Sequence, residues 1–82
     1  MFDVDFGAAI TIRRAMLGMS RKDVAAAAGI SYPYISELEN GVKSPSWDVF
    51  VAVAKALRFK SLSAFVAFAE EQAALRAELL GE

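Results

Sequence analysis

Arg21-Lys-Asp-Val-Ala-Ala-Ala-Ala-Gly-Ile-Ser-Tyr-Pro-Tyr-Ile-Ser-Glu-Leu-Glu39 is the stretch that decides how this chain folds. Ser20 stands before it as an N-cap, and Asp23 is placed to act as the acid of a short capping box, so a helix is expected over Arg21 to Ala28. Gly29 stops that helix, because it takes a positive φ without a Cβ penalty. Ser31 caps the next helix, which runs to about Asn40. Pro33 is tolerated there, since an early helical amide has no intrahelical acceptor to lose. Two short helices thus meet at a tight turn of about three to four residues. Ala25 is the small residue needed where they approach most closely, and Val24, Ile30, Ile35 and Leu38 are the apolar positions that lock the pair onto a core.

The pattern continues on both sides. A first helix starts after Asp5 as N-cap and runs to about Leu17, with Ile10, Arg14 and Leu17 on one face, and Gly18 ends it. Asn40-Gly41 closes the third helix, and Val42 to Pro45 form a loop. Ser46 caps a fourth helix whose apolar set Trp47, Phe50, Val51, Ala54 and Leu57 has the spacing of a buried face. Arg58 to Lys60 make the next turn without the glycine such a position favours. Ser61 caps a fifth helix reaching Leu79 or Leu80. The expectation is an all-α, five-helix single domain over 1–82, with a core bundle over 6–60 and an extended fifth helix over 61–80. The strict alternation Phe2-Asp3-Val4-Asp5-Phe6 is too short to stand alone as a strand, and reads as an ordered arm packing Phe2, Val4 or Phe6 on the bundle.

Composition narrows the function. At 82 residues and 56% hydrophobic the chain is one folding unit, and it has neither Cys nor His. That excludes disulfides, thiol catalysis and cysteine zinc sites, and removes the commonest general base and metal ligand. The serines read as caps, turns or surface positions, and Glu70-Glu71 as a solvated face, so neither a nucleophile–base pair nor paired catalytic carboxylates are in view. An enzyme, a metal and a cofactor are therefore not expected. The apolar stretch Ala64 to Ala69 is far short of the ~20 residues of a membrane span. With no secretory pattern, a cytoplasmic location is the default. The net charge of −1 conceals a segregation. From Arg13 to Lys60 the balance is +4, while the flanks carry Asp3, Asp5, Glu70, Glu71, Glu78 and Glu82 against Arg76 alone, a balance of −5. Such asymmetry can mark a face for a polyanion.

Over roughly Gly7 to Phe65 the chain resembles the phage repressor and Cro-type (lambda-repressor-like, XRE-type) helix-turn-helix family of transcriptional regulators. The resemblance rests on Ile10, Arg14, Gly18-Met-Ser20, Ala25, Gly29-Ile-Ser31, Tyr34-Ile-Ser36, Leu38-Glu-Asn-Gly41, Pro45-Ser46 and Ala54-Lys-Ala-Leu57. The run Ile-Ser-Glu-Leu-Glu-Asn-Gly followed by Pro-Ser is its most specific part. Two positions depart from the common pattern: Arg21 stands where many members have Gln, and Arg58 where many have Gly. The first bears on how a phosphate is held.

The resemblance implies a regulator of bacterial or phage origin that binds double-stranded DNA, most simply as a repressor, with the third helix in the major groove and the second across the backbone. Tyr32, Pro33, Ser36 and Glu37 would then face base edges. Glu37 can accept from a cytosine amino group, or it is only a solvated residue neutralised by a neighbouring cation. Arg21, Lys22, Tyr34, Asn40, Gly41 and Lys43 would meet phosphates, with the amides and dipole at the start of the second helix adding to Arg21 and Lys22. Arg14 and Glu39 match positions that in several relatives form a partly buried ion pair, which makes them structural.

One such domain reads only a few base pairs, so a homodimer on a near-palindrome is expected. Phe65, Phe68, Gln72, Leu75 and Leu79 recur at heptad-like spacing and are the candidate seam. A different reading of the same bundle is a protein-interaction module holding a toxin or a polymerase subunit through the fifth helix.

Overall fold

The computed structural model describes residues 5–81 as five helices, with no strand among them. They are α1 (Phe6–Met16), α2 (Arg21–Ala28), α3 (Tyr32–Glu39), α4 (Trp47–Ala56) and α5 (Leu62–Leu80). Each begins where a short polar side chain accepts a hydrogen bond from a first-turn amide: Asp5, Ser20, Ser31, Ser46 and Ser61 in turn. At α2 the capping box closes both ways, with Ser20 Oγ accepting from the Asp23 amide at 3.1 Å and Asp23 Oδ2 accepting from the Ser20 amide at 2.8 Å. The Ser20 amide first, and its hydroxyl second, hold the Asp23 carboxyl below its ordinary pKa.

α2 packs on both α3 and α4, α1 on α3 and α5, and α4 on α5. Val24, Ile35, Val53, Leu57 and Phe65 are the largest fully buried side chains. Aromatic rings tie α1, α4 and α5 together. Phe6 stands edge-on to Phe50 at 5.1 Å and to Phe65 at 5.4 Å, while Phe59 stacks on Phe65 at 4.9 Å. Phe6 therefore reaches the core as the first residue of α1 rather than as part of an extended arm. Phe2 and Val4, assigned to that arm from the alternation, lie outside the described residues.

The buried face of α4 keeps Phe50, Ala54 and Leu57 of the spacing expected from the sequence but not Trp47 and Val51. Trp47 is 69% exposed and Val51 half-buried, whereas Val53 is 1% exposed. Phe50, Val53, Ala54 and Leu57 form the inward stripe. Phe50 fills the space between Phe6 and Phe65, and Trp47, on the first turn, leans over the Phe50 ring from outside at 6.0 Å.

The turn after α4 is built without glycine. Arg58 has φ 61°, the single positive φ outside glycine among the described residues. Arg13 of α1 braces it, donating from Nε to the Leu57 carbonyl at 3.0 Å and from Nη2 to the Arg58 carbonyl at 3.4 Å, with its guanidinium carbon 4.5 Å from the Phe59 ring centre. A cation on the last carbonyls of a helix satisfies acceptors that have no intrahelical donor.

At its other end α1 crosses the C-terminus of α3 at backbone contact. A Cβ on Gly7 would lie 2.5 Å from the Glu39 carbonyl oxygen and 2.7 Å from that of Leu38. Neither oxygen is on a flexible side chain, so the helices themselves would have to part. Gly7→Ala should cost about 1–3 kcal/mol by overpacking. Arg58→Gly should stabilise by up to about 1 kcal/mol, by removing the left-handed strain on a residue that has a Cβ. Urea unfolding of the two variants beside the parent chain checks both, with midpoints expected to move in opposite directions.

Candidate nucleic-acid interface

The outer face of α3 follows from which of its residues the core takes. Ile35 and Leu38 are buried, and Tyr34 packs partly on the core. Left outward are Tyr32, 46% exposed, Pro33, exposed, and the half-buried Ser36 and Glu37. These are the residues expected on base edges, and they share one surface. The chain after α3 folds back on it: the amides of Val42 and Lys43 donate to the Glu37 carbonyl at 2.9 and 3.4 Å. Asn40, Gly41 and Lys43 are thereby exposed beside the helix end. Lys43 Nζ lies 3.5 Å from Glu37 Oε2 and 6.0 Å from the Tyr34 ring centre. Glu37 therefore shares this face with a cation close enough to offset its charge.

Beneath the surface lies a single buried carboxylate. The Glu39 side chain is fully buried, and one oxygen gathers donors from two other helices, α1 and α2. Oε1 accepts from the Thr11 hydroxyl at 2.6 Å and from Arg14 Nη2 at 3.2 Å, and Arg21 Nε lies 3.4 Å away. Arg14 also donates to the Met19 carbonyl at 3.1 Å. The Arg14–Glu39 pair expected from the sequence is present, but it is only part of the cluster. Thr11 is a partner that the sequence reading passed over. Gly7, Thr11 and Arg14 stand at i, i+4 and i+7 on α1, a spacing that could have revealed one stripe facing α3.

Arg21 is the main departure. Placed on a phosphate by the sequence reading, it has its side chain only 31% exposed and turned to Glu39. Its Nη1 also donates to Ser36 Oγ at 3.3 Å. The Glu39 charge, followed by a hydrogen bond that the Tyr32 hydroxyl oxygen accepts from the guanidinium, raises the Arg21 pKa above its ordinary value, so the guanidinium stays charged. The start of α2 is also less open to an anion than expected, because Asp23 already sits there as a capping carboxylate. Lys22 remains exposed at this end.

Arg13, Arg14 and Arg21 all have protein partners, so a good part of the positive balance read between Arg13 and Lys60 works inside the fold. No group of three metal-ligating side chains forms among the described residues, and no described helix is long and apolar enough to cross a membrane.

On α5 the expected seam divides. Phe65, at 1% exposure, belongs to the bundle's own core and is unavailable to a second chain. Phe68 packs against Phe59 at 5.5 Å and Gln72 is half-buried. Leu75 and Leu79 are 50% and 77% exposed.

The helix-turn-helix family's sequence profile matches residues 10–65. The uncharacterised HTH-type transcriptional regulators MT0491 and Rv0474, from two strains of Mycobacterium tuberculosis, are each 40% identical over 52 residues. That stretch is 63% of this chain and 37% of theirs, so the chain spans little more than a third of those relatives. Among solved structures, the clp gene regulator ClgR of Corynebacterium glutamicum superposes with a TM-score of 0.81 at 32% identity, covering 95% of this chain and 82% of that one. The restriction-modification controller protein C.AhdI of Aeromonas hydrophila shares the fold, with a TM-score of 0.70 at 24% identity over 76% of this chain and 92% of its own.

Glu39→Gln keeps the shape of the side chain but leaves two arginines facing a neutral amide. Removing one member of a buried ionic cluster costs about 3–5 kcal/mol, and the partial exposure of both arginines favours the lower figure. A fall of that size in unfolding free energy, with helical content retained below the midpoint, is the expected result of denaturant titration followed by circular dichroism.

Proposed function

The chain belongs to the helix-turn-helix family of transcriptional regulators, and from that premise we propose that it is a sequence-specific, double-stranded-DNA-binding regulator of the phage-repressor and Cro type, acting in the cytoplasm. α3 enters the major groove with Tyr32, Pro33, Ser36 and Glu37 toward base edges, and α2 lies across the backbone. The observation that carries this reading is the outer face of α3. Tyr32 and Pro33 are exposed there and Ser36 and Glu37 half-exposed, while Ile35 and Leu38 are turned to the core. Lys22 at the start of α2, and Lys43 with Asn40, Gly41 and Tyr34 near the end of α3, flank that face and supply phosphate contacts. Glu37 stays with Lys43, which lessens its repulsion of the backbone.

Occlusion of a promoter is the simplest regulatory action for such a domain, which makes repression the first activity to test. Specific affinity then calls for two copies related by a two-fold axis. The late turns of α5 supply the surface. Leu75, Leu79 and Leu80 border an apolar groove of about 480 Å³ with Ala8 and Ile12 of α1, beside an Asp5–Arg76 ion pair at 3.6 Å. The dimer seam is thus Leu75 and Leu79, with Gln72 at its edge, and not Phe65.

Fluorescence anisotropy of a random duplex, titrated over a range of salt, tests the DNA reading. Binding should weaken steeply with salt. Lys22→Ala and Lys43→Ala should each lower affinity on every sequence alike and reduce the slope of log K against log salt by about 0.9. Absence of duplex binding at low salt overturns the assignment. For the dimer, sedimentation of Leu75→Glu/Leu79→Glu should give a folded monomer where the parent chain gives a dimer.

A further inference from the structure

Ser36 is held from behind. A serine within a helix commonly donates its hydroxyl proton to the carbonyl four residues earlier. Among the described residues, Ser36 Oγ donates to no carbonyl or carboxylate, and its single bond there is the one it accepts from Arg21 Nη1 at 3.3 Å. A guanidinium has donors only, so the serine must be the acceptor in that contact. A hydroxyl has one proton and two lone pairs. With one lone pair taken by a cation on the protein side, the proton and the second lone pair remain, and the positive charge behind the oxygen favours turning the proton toward the outer face of α3 over accepting a second donor.

Arg21 cannot readily turn away to serve a phosphate instead. Its Nε is on Glu39 Oε1, and that carboxylate is buried where water cannot replace a lost donor. The fork of the guanidinium thus spans two acceptors, one buried and one at the surface, a geometry that a lysine ammonium does not reproduce. Glu37 has its carboxylate on Lys43 and Tyr32 is the more exposed hydroxyl beside Arg21, which leaves Ser36 as the half-buried polar group of this face whose oxygen is held from behind at 3.3 Å.

We propose that Arg21 is a positioning residue for base reading: by donating to Ser36 Oγ it biases the Ser36 hydroxyl toward donation, so that Ser36 favours a base edge presenting an acceptor over one presenting an amino group. This rests on the DNA-binding reading above. In the major groove the favoured acceptors are N7 or O6 of guanine, N7 of adenine and O4 of thymine, and the disfavoured groups are N4 of cytosine and N6 of adenine.

The test begins with sites selected by the parent chain from a random duplex pool. Affinities are then measured for each single-base-pair change of the preferred duplex, with the parent chain, Ser36→Ala, Arg21→Met and the double variant. Circular dichroism confirms that each variant is folded. Ser36→Ala should relax discrimination at one base pair by about three- to tenfold, the worth of one hydrogen bond. Arg21→Met should relax the same base pair by a similar factor, and the double variant should be no worse than either single one. The salt slope should stay as in the parent chain. Should Arg21→Met fail to fold, Arg21→Lys, which keeps a counter-charge for Glu39, should show the same local relaxation.

Two results overturn the inference while leaving the DNA reading intact. One is a uniform loss over all duplexes in the Arg21 variant with the salt slope lowered by about 0.9, which makes Arg21 a phosphate contact. The other is relaxation at different base pairs, or additive effects at the same one. A parent chain that binds no duplex at low salt removes the function and the inference with it.

Discussion

Everything in this fold that faces outward depends on one carboxylate that faces inward. Glu39, at the end of α3, is the single charged residue that the core buries among those described. It is reached by Thr11 and Arg14 from α1 and by Arg21 from α2. A buried charge is costly unless nearby donors compensate it, so these three side chains are held to Glu39 more firmly than surface groups would be. The close crossing at Gly7 works at the same junction, because it brings α1 near enough to α3 for Thr11 to reach. Orientation of α3 is therefore fixed by polar contacts that tolerate little displacement, in addition to the less directional packing of Ile35 and Leu38.

This arrangement changes what the basic residues of the middle segment are for. A count of charges treats Arg13, Arg14 and Arg21 as equal to Lys22 and Lys43. The structure separates them by chemistry. The arginines bridge carbonyls, a carboxylate and a hydroxyl, which suits a planar fork of donors, whereas Lys22 and Lys43 extend into solvent or lie on the surface beside an acid. The balance of +4 already counts Glu39, so the field of the segment is unchanged, but fewer of its cations are free to meet a phosphate directly.

Helix boundaries were legible because the interactions that set them are local. A cap is a hydrogen bond between residues three apart, and Asp5, Ser20, Ser31, Ser46 and Ser61 could each be recognised from their immediate neighbours. The outer face of α3 was legible for a similar reason, since the apolar spacing of Ile35 and Leu38 leaves few choices. What escaped depends on contacts between distant residues. Trp47 fits the apolar stripe of α4 by spacing, yet its turn projects beyond the ring cluster that Phe50 completes. The left-handed Arg58 is supported by Arg13, 45 positions earlier. Nothing near Arg21 in sequence announces that its partners are Ser36 and Glu39.

The fifth helix shows how one periodic pattern can serve two ends. Phe65, Phe68, Gln72, Leu75 and Leu79 keep a heptad-like phase throughout, but the surface opposite them changes. Over the first turns α1 and α4 lie there with Phe6, Phe50 and Phe59, and Phe65 disappears into the core. Further along the body of the domain recedes, and among the described residues Leu75 and Leu79 have Asp5 and the first turns of α1 to one side. Spacing alone reports that a face is apolar, not whether its own chain has the bulk to cover it. For the proposed dimer this division is useful, because residues needed for folding the monomer are kept apart from those that would join two copies. Assembly could then be lost by substitution at the exposed leucines without unfolding the domain, which a seam running through Phe65 would not allow.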